Sequence, residues 1–317
     1  MPDDTVTEMR TFAAGMAPYA PMSSDVLYRL ASEVEEGGPV AELLSEHPAA
    51  GSPLFYLRAL AGVRRLVLAG KAPALAQHLR VMGGNYHDPQ YAEPTWALFL
   101  TALTEHPQEI ADALDRPIQQ HHPRRAHALL SGLGMLGAGD VRVLELGACA
   151  GLTLLFDRYR WFGPGWEWGD EGSPVRLATS GRHPGRVRVI DRAGCDLAPL
   201  DPTNPDDVLT LRSFLPHEDD VEQMELDDAI ALARHQRARI DRADAVEWLA
   251  RELAAPVPRT VRTVVWHSLF WGYLPLPQQK AIEQIMSEAA IRMRLVRISL
   301  EPYEWMMPPR LQVIEYS

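Results

Sequence analysis

The segment from Val141 to Tyr159, VRVLELGACAGLTLLFDRY, constrains the fold more than any other part of the chain. It begins with a nearly continuous apolar run, which is typical of a parallel strand that is covered on both faces. Gly147 and Gly151 interrupt the run and predict a sharp turn. The apolar spacing from Leu152 to Tyr159 then predicts an amphipathic helix. A strand, a glycine turn and a helix in this order make a place where a small molecule can bind.

Further apolar runs follow this segment and alternate with helical spacing. The predicted strands lie in GRVRVIDRAGCD, ARIDRADAV, RTVRTVVWHSLF and RMRLVRISLEP. The predicted helices cover residues 206–214, 222–239, 245–253 and 277–290. Segment 161–185 is rich in Gly, Pro and Trp and predicts an inserted loop or hairpin. The alternation is typical of a doubly wound parallel α/β sheet, which we assign to residues 129–317.

The first part of the chain differs from this pattern. Residues 5 to about 130 carry apolar side chains at helical spacing, and no strand-like alternation interrupts them. Gly37, Gly38 and Gly70 predict the ends of two of these helices. We therefore expect an all-helical N-terminal domain over residues 1–128.

Composition narrows the classes of function. The net charge is −11 and the pI is about 5.5, which argues against nucleic acid as a partner because such binding needs a basic surface. The N-terminus lacks the apolar core of a signal peptide, and no apolar run reaches membrane-spanning length. We expect a cytoplasmic protein with a small-molecule substrate and no membrane partner, and a homodimer stays open. Cys149 and Cys195 do not form a disulfide framework, and no ligand spacing predicts a metal site.

The turn after the first predicted strand, Glu145-Leu-Gly-Ala-Cys-Ala-Gly151, has the form E-x-G-x-x-x-G. It resembles the first motif of class I S-adenosylmethionine (SAM) methyltransferases. The resemblance implies that Glu145, Gly147, Ala148, Cys149 and Gly151 bind SAM. The alternative is an ordinary glycine turn between a strand and a helix.

Three later segments resemble further motifs of these enzymes, in the same order along the chain. VIDRAGCDLAPLD would place Asp196 and Leu197 at the ribose, where a carboxylate can accept both hydroxyls. RIDRADAVEWL would place Asp244 and Ala245 at the adenine amino group, and TVVWHSLFWGYLP would place His267 beside the cofactor. Taken singly, an aspartate after a strand is more often a turn or cap residue.

One spacing leaves an alternative open. The separation between Glu145 and Asp196 is long for residues on adjacent strands. Asp170 takes the ribose role instead if WEWGD is the true second strand. We prefer Asp196.

The chain as a whole resembles domain-of-unknown-function family 2332. The resemblance rests on LELGACAGLTLLFDRYRW, GCDLAPLD, DRADAVEWLA, VVWHSLFWGYLP, GGPVAELLSEHP, RLVLAGKAPALAQH and ALTEHPQEIADALDRPIQ. It covers nearly the whole chain and implies a Rossmann-like class I methyltransferase sheet with a helical N-terminal region, but it implies no reaction.

The chain departs from that family in two places. After LDRPIQ the family continues T-N-E-x-G-R, whereas this chain continues Gln-His-His-Pro-Arg-Arg. The chain also stops at LQVIEYS, so we expect the last strand of a methyltransferase sheet to be missing.

The candidate catalytic groups flank these motifs. His121 and His122 precede the first strand, His267 follows the fourth, and Glu301 and Tyr303 follow the fifth. Imidazole suits proton abstraction because it titrates near neutral pH. Each group also has a structural interpretation, as a helix-start pair, a core histidine or loop side chains.

Three hypotheses follow for the function. The first is a SAM-dependent enzyme that transfers a methyl group to a small-molecule acceptor. The second keeps SAM as substrate but uses His121 and His122 to deprotonate its Cα. Its chain then cyclises to a small amino acid, such as 1-aminocyclopropane-1-carboxylate or azetidine-2-carboxylate, with loss of methylthioadenosine. The third is a protein that binds SAM without turning it over.

Overall fold

The structure is a computed structural model that describes residues 3–82, 86, 88–137, 139–218, 220–303 and 307–316. The chain divides into two compact units. The first contains Met1–Gln120 and Pro205–Gln223, and the second contains His121–Asn204 and Met224–Ser317. We expected the chain to divide at residue 128. Residues 121–128 instead belong to the second unit, and residues 205–223 belong to the first.

The α-helices of the described residues, in chain order, are α1 (Asp3–Met16), α2 (Pro21–Glu35), α3 (Pro39–Ser45), α4 (Leu57–Leu68), α5 (Pro73–Met82), α6 (Ala92–Glu105), α7 (Pro107–Leu114), α8 (Ala126–Leu136), α9 (Pro205–Ser213), α10 (Asp220–His235), α11 (Ala245–Ala254) and α12 (Leu276–Ala290). Gly37 and Gly70 follow α2 and α4 with φ of +71° and +70°, so both helices end at glycines, as predicted. No helix in the described ranges is long and apolar enough to cross a membrane.

Helix α9 belongs to the first unit because arginines of α4 hold it. The Arg64 Nε donates a hydrogen bond to the Arg212 carbonyl oxygen at 3.0 Å. Arg65 pairs with the carboxylate of Asp206, and Arg116 lies 2.9 Å from the same carboxylate. These contacts join segment 205–213 to three arginines that precede their partners by 90 to 148 positions in the sequence. Sequence spacing contains no signal for such a return.

The strands of the described residues, in chain order, are β1 (Gly139–Leu146), β2 (Arg160–Gly163), β3 (Trp166–Gly169), β4 (Arg176–Ala178), β5 (Val187–Asp196), β6 (Arg239–Arg242), β7 (Arg262–Ser268), β8 (Arg294–Pro302) and β9 (Pro309–Tyr316). Six of them form one sheet in the order β6-β5-β1-β7-β8-β9, in which only the β8–β9 pair is antiparallel. The chain adds β5 and β6 on one side of β1 and then returns to add β7 and β8 on the other side. The result is a mixed α/β fold with a mostly parallel sheet.

Helices cover both faces of this sheet. Leu144 and Leu146 pack in one cluster with Trp248 of α11 and Met286 of α12. On the other face, a Cβ added at Gly132 of α8 would lie 2.7 Å from Cγ2 of Ile298 on β8. Because side chains alternate between the faces of a strand, residues between the clustered leucines of β1 point towards the α8 side. Burial on both faces explains why the inner strands β1, β7 and β8 are nearly continuous apolar runs in the sequence.

Two local predictions were wrong. The helix expected over 152–159 is a short 3-10 turn, Thr153–Arg158, and the inserted segment after it folds into a three-stranded sheet of order β3-β2-β4. The predicted strands end at RMRLVRISLEP and do not include Pro309–Tyr316, which forms β9 and pairs with β8. Its side chains are only half-buried or exposed, so the apolar signal of an inner strand is weak there.

Candidate functional site

The turn after β1 uses backbone conformations that suit glycine. Gly147, Cys149 and Gly151 have φ of +70°, +48° and +71°. A Cβ on Gly147 would lie 2.5 Å from Cδ2 of Phe270, and one on Gly151 would lie 2.8 Å from Cδ1 of Ile240. The turn therefore needs both glycines, as expected from the sequence. The space beside Gly151 is taken by Ile240, although the resemblance to methyltransferases implies that Gly151 binds SAM.

Asp196 ends β5 and ties down this turn. Its Oδ2 accepts a hydrogen bond from the backbone N–H of Cys149 at 2.9 Å, and its Oδ1 accepts one from Ala198 at 2.8 Å. The side chain of Leu197, next in the chain, is exposed. Both carboxylate oxygens of Asp196, which is predicted to bind the ribose, thus already accept backbone hydrogen bonds. Each oxygen can accept one more hydrogen bond.

Asp170 occupies a different place. It follows β3 in the three-stranded sheet, is exposed, and accepts a hydrogen bond from the N–H of Gly172 at 2.9 Å. The strand that pairs with β1 is β5. Of the two aspartates, only Asp196 therefore ends the strand next to the glycine turn.

Asp244 follows β6 and caps helix α11. Its Oδ1 accepts hydrogen bonds from the N–H groups of Val246 at 2.8 Å and Glu247 at 3.3 Å. Its Oδ2 accepts one from the Gln278 side chain at 3.1 Å. Ala245 is buried in the first turn of the helix. An aspartate at this position satisfies N–H groups that an α-helix leaves unpaired at its start.

Glu145 lies near the end of β1 with 1% of its surface exposed. Its Oε1 accepts hydrogen bonds from the Thr153 hydroxyl and from the Trp266 indole, the latter at 3.0 Å. Its Oε2 is buried and has no hydrogen-bond partner among the described residues. Burial raises the pKa of Glu145 to about 8, against the lowering effect of the two donors.

His267 and Glu301 form a buried pair at the ends of β7 and β8. Nδ1 of His267 lies 2.7 Å from Oε1 of Glu301. The same oxygen accepts hydrogen bonds from the backbone N–H groups of Phe270 at 2.9 Å and Trp271 at 3.3 Å. Because this oxygen acts as an acceptor, we assign the imidazole proton to Nδ1. Nε2 of His267 then carries a lone pair, and it is buried without a hydrogen-bond partner in the part of the chain that the structure describes.

The loop after β7 holds the imidazole ring in place. The Trp271 ring stacks on it, with ring centroids 5.0 Å apart and an interplanar angle of 20°. Phe270 meets it edge-on at 6.1 Å and also covers Gly147. Leu269 has a φ of +48°, an uncommon conformation for a branched side chain. A strained residue at this point places both aromatic rings against the histidine.

The histidines before β1 are buried as well. Nε2 of His121 accepts a hydrogen bond from the N–H of Leu152 at 3.2 Å. Burial, together with the charges of Arg125 and His122, lowers the pKa of His121 to about 3. Nδ1 of His122 accepts a hydrogen bond from the Arg124 N–H at 3.2 Å and so caps a short 3-10 turn. These contacts disfavour His121 as a base, because its accepting nitrogen is occupied and hard to protonate.

Tyr303 and the two cysteines show fewer signs of a catalytic role. The Tyr303 side chain is 81% exposed just after β8. Cys149 and Cys195 are free and buried, and burial raises the pKa of both thiols, which suits packing better than reactivity. No group of three or more His, Cys, Asp or Glu side chains in the described ranges could hold a metal ion.

The structure thus brings one set of the predicted residues together at the carboxyl ends of adjacent strands. We call Glu145, Gly147–Gly151, Asp196, His267 and Glu301 the carboxyl-edge site. The sequence identifies each member but not the contacts among them. It also misses Thr153 and Phe270, which no local motif marks as neighbours of the site.

Comparison with known proteins supplies a family. No curated protein and no solved structure matches the chain. A family model described as an uncharacterized protein conserved in bacteria (DUF2332) matches residues 6–313. The match spans both units, and the chain belongs to this family.

Proposed function

We propose that the protein is a SAM-dependent enzyme that transfers a methyl group to a small-molecule acceptor, on a class I methyltransferase-like sheet. One observation carries the proposal. The four segments that resemble methyltransferase motifs follow β1, β5, β6 and β7, which are neighbours in the parallel part of one sheet. Numbered along the chain, its strands lie in the order 3-2-1-4-5-6, which is the doubly wound order of nucleotide-binding folds. In such sheets, ligands bind where the chain reverses direction, which here is between β1 and β7.

The residues at that point suit the parts of SAM. The unpartnered Oε2 of Glu145 is an acceptor for a cationic group. Asp196 can receive the ribose hydroxyls on the lone pairs that its backbone contacts leave. In this proposal the backbone of Gly147–Gly151 and Leu197 lines the ligand, and Asp244 with Ala245 borders the adenine. When bound, SAM supplies an electrophilic methyl group.

His267 is the group that we propose to take the proton of the acceptor. Its Nε2 has no hydrogen-bond partner among the residues described, and Glu301 holds Nδ1 in the tautomer that leaves a lone pair on Nε2. A carboxyl group in this position also stabilises the imidazolium that forms, as in other carboxylate-oriented histidine bases. Stacking on Trp271 limits rotation of the ring. The acidic net charge favours a small molecule over nucleic acid as the acceptor.

The cyclisation hypothesis has less support. It relied on His121 and His122 as bases. Nε2 of His121 and Nδ1 of His122 already accept hydrogen bonds from backbone N–H groups. Product analysis separates the hypotheses. Methylthioadenosine formed from SAM without an acceptor would favour cyclisation, S-adenosylhomocysteine would favour methyl transfer, and binding without either product would favour a binding protein.

The decisive experiment is calorimetry with SAM on the wild type and on Asp196→Ala. We expect the substitution to weaken binding by at least about tenfold, because one charged hydrogen-bond partner is worth 1.4 kcal/mol or more. Asp170→Ala is the matched control, since Asp170 also follows a strand and also accepts a backbone hydrogen bond from the second residue after it. The control should bind as the wild type does. Absence of SAM binding to the wild type would overturn the proposal.

A further inference from the structure

The carboxyl group of Glu145 is buried among neutral partners. Its two hydrogen-bond donors, the hydroxyl of Thr153 and the indole of Trp266, carry no charge. It forms no ion pair with any residue that the structure describes, and its second oxygen is unpartnered. An ionised carboxylate in such a place lacks the compensation that buried charges require.

The titratable groups around Glu145 do not supply that compensation. Asp196 on β5 raises its pKa, and Arg125, in the turn before α8, lowers it by a smaller amount. Cys149 in the glycine turn and Tyr159 after the 3-10 turn are themselves buried, and burial raises the pKa of both, so each stays neutral near pH 7. Glu145 is therefore a neutral acid in the ligand-free protein at neutral pH.

From these contacts we infer that Glu145 gives up its proton to solvent when the ammonium group of SAM binds, so that one proton leaves the protein for each ligand bound. The inference rests on the proposed function, because it takes SAM as the ligand of the carboxyl-edge site. The balance is simple: the neutral acid and the cationic ligand become an ion pair, and one proton is released. A carboxylate binds an ammonium group more strongly than a neutral acid does, and this difference drives the ionisation.

The inference predicts a pH dependence of a definite sign. Below the pKa of the free acid, which is about 8, binding has to displace the proton. The affinity for SAM therefore rises with pH, by up to about tenfold per unit between about pH 6 and 7.5. Above that range the ammonium group of the ligand itself begins to titrate, as amino groups of this kind do near 7.7–8.0. The informative window therefore lies below about pH 7.5.

The test is to count released protons by calorimetry at about pH 6.5. SAM is titrated into the protein in buffers of different ionisation enthalpy, such as phosphate and imidazole. We expect close to one proton per ligand for the wild type and none for Glu145→Gln. His267→Asn should still release the proton, which excludes His267 as its source.

Two other ligands test which positively charged group of SAM causes the proton release. S-adenosylhomocysteine keeps the ammonium group but lacks the sulfonium, and it should release the proton as SAM does. Methylthioadenosine has neither charge and should release none. Release with SAM but not with S-adenosylhomocysteine would overturn the assignment to the ammonium group.

A second measurement avoids dependence on the folding of Glu145→Gln. Infrared difference spectra of the wild type with and without SAM should show loss of a carboxylic-acid C=O band and gain of a carboxylate band. SAM binding with neither proton release nor this spectral change would overturn the inference and leave the proposed function standing. Absence of SAM binding would overturn both.

Discussion

Glu145 on β1 and Glu301 on β8 are both buried at the carboxyl edge of one sheet, but their carboxyl groups differ in hydrogen-bond partners. Glu301 faces an imidazole and two backbone N–H groups. Glu145 accepts hydrogen bonds from two neutral side chains on one oxygen, and its other oxygen has no hydrogen-bond partner among the described residues. The comparison shows that described residues of the fold satisfy the hydrogen-bonding needs of Glu301 but only half of those of Glu145. The contacts of Glu301 suit a residue that positions His267. The unpaired oxygen of Glu145 suits a residue that binds a ligand.

The largest effect expected from this difference is a pH dependence of stability that belongs to Glu145. Its pKa is about 8 in the folded protein and near 4.5 in an unfolded chain. Between these values the unfolded state has lost the proton and the folded state keeps it, so the free energy of unfolding falls as the pH rises. At about 1.4 kcal/mol per pKa unit, the wild type should lose about 3 kcal/mol relative to Glu145→Gln between about pH 5 and 8. Urea unfolding of both proteins across this range measures it, and parallel curves would contradict the assignment.

Substitution of Glu301 should instead destabilise the protein at every pH in this range. Glu301→Ala leaves the Nδ1 proton of His267 and the N–H of Phe270 without their acceptor in a buried place. We expect a loss of about 2–3 kcal/mol in the free energy of unfolding, the usual cost of unsatisfied buried donors. Glu301→Gln keeps an acceptor oxygen and should lose clearly less. If the Ala variant were as stable as the wild type, the contrast with Glu145 would fail.

His121 extends the comparison to a buried base, with the opposite sign. Burial lowers its pKa to about 3, whereas an unfolded histidine titrates near 6.5. As the pH falls below 6.5 the unfolded state takes up a proton and the folded state does not, so stability is lost towards acid. Relative to His121→Gln, the wild type should lose about 2 kcal/mol between about pH 7.5 and 5. An equal acid loss in both proteins, measured by urea unfolding, would show that His121 is not buried in neutral form.

Asp244 should give the smallest effect, because its carboxylate is only half-buried and caps a helix. Asp244→Ala removes the acceptor for the N–H groups at the start of α11 and should cost about 1 kcal/mol. Asp244→Asn keeps a capping oxygen and should cost little. Thermal unfolding of the three proteins in the absence of ligand is sufficient to measure this. An Ala variant of wild-type stability would mean that the residue does not act as a cap and would leave the adenine role as its main interpretation.

Local sequence patterns predicted much of the sheet. The parallel strands β1, β7 and β8 were found because a strand buried on both faces must be apolar along most of its length. The turn glycines were found because positive φ and close packing exclude other residues. Strand β9 was missed because an edge strand is partly exposed and its pattern is diluted by polar side chains. The helix predicted over 152–159 was wrong because the chain leaves that direction after one short turn and enters a small sheet.

The candidate site shows the same division. The sequence by itself determined that Glu145, Asp196, His267 and Glu301 follow or end strands, since each stands at the end of an apolar run. Only the tertiary structure decided that Glu301 contacts His267 and that Thr153 and Trp266 donate to one oxygen of Glu145. It also decided that the other oxygen has no hydrogen-bond partner within the part of the chain that is described. The physical reason is that periodicity and turn chemistry act over a few residues, whereas the partners of a buried polar atom depend on strand order and register. These join residues that lie 34 and 121 positions apart in the chain.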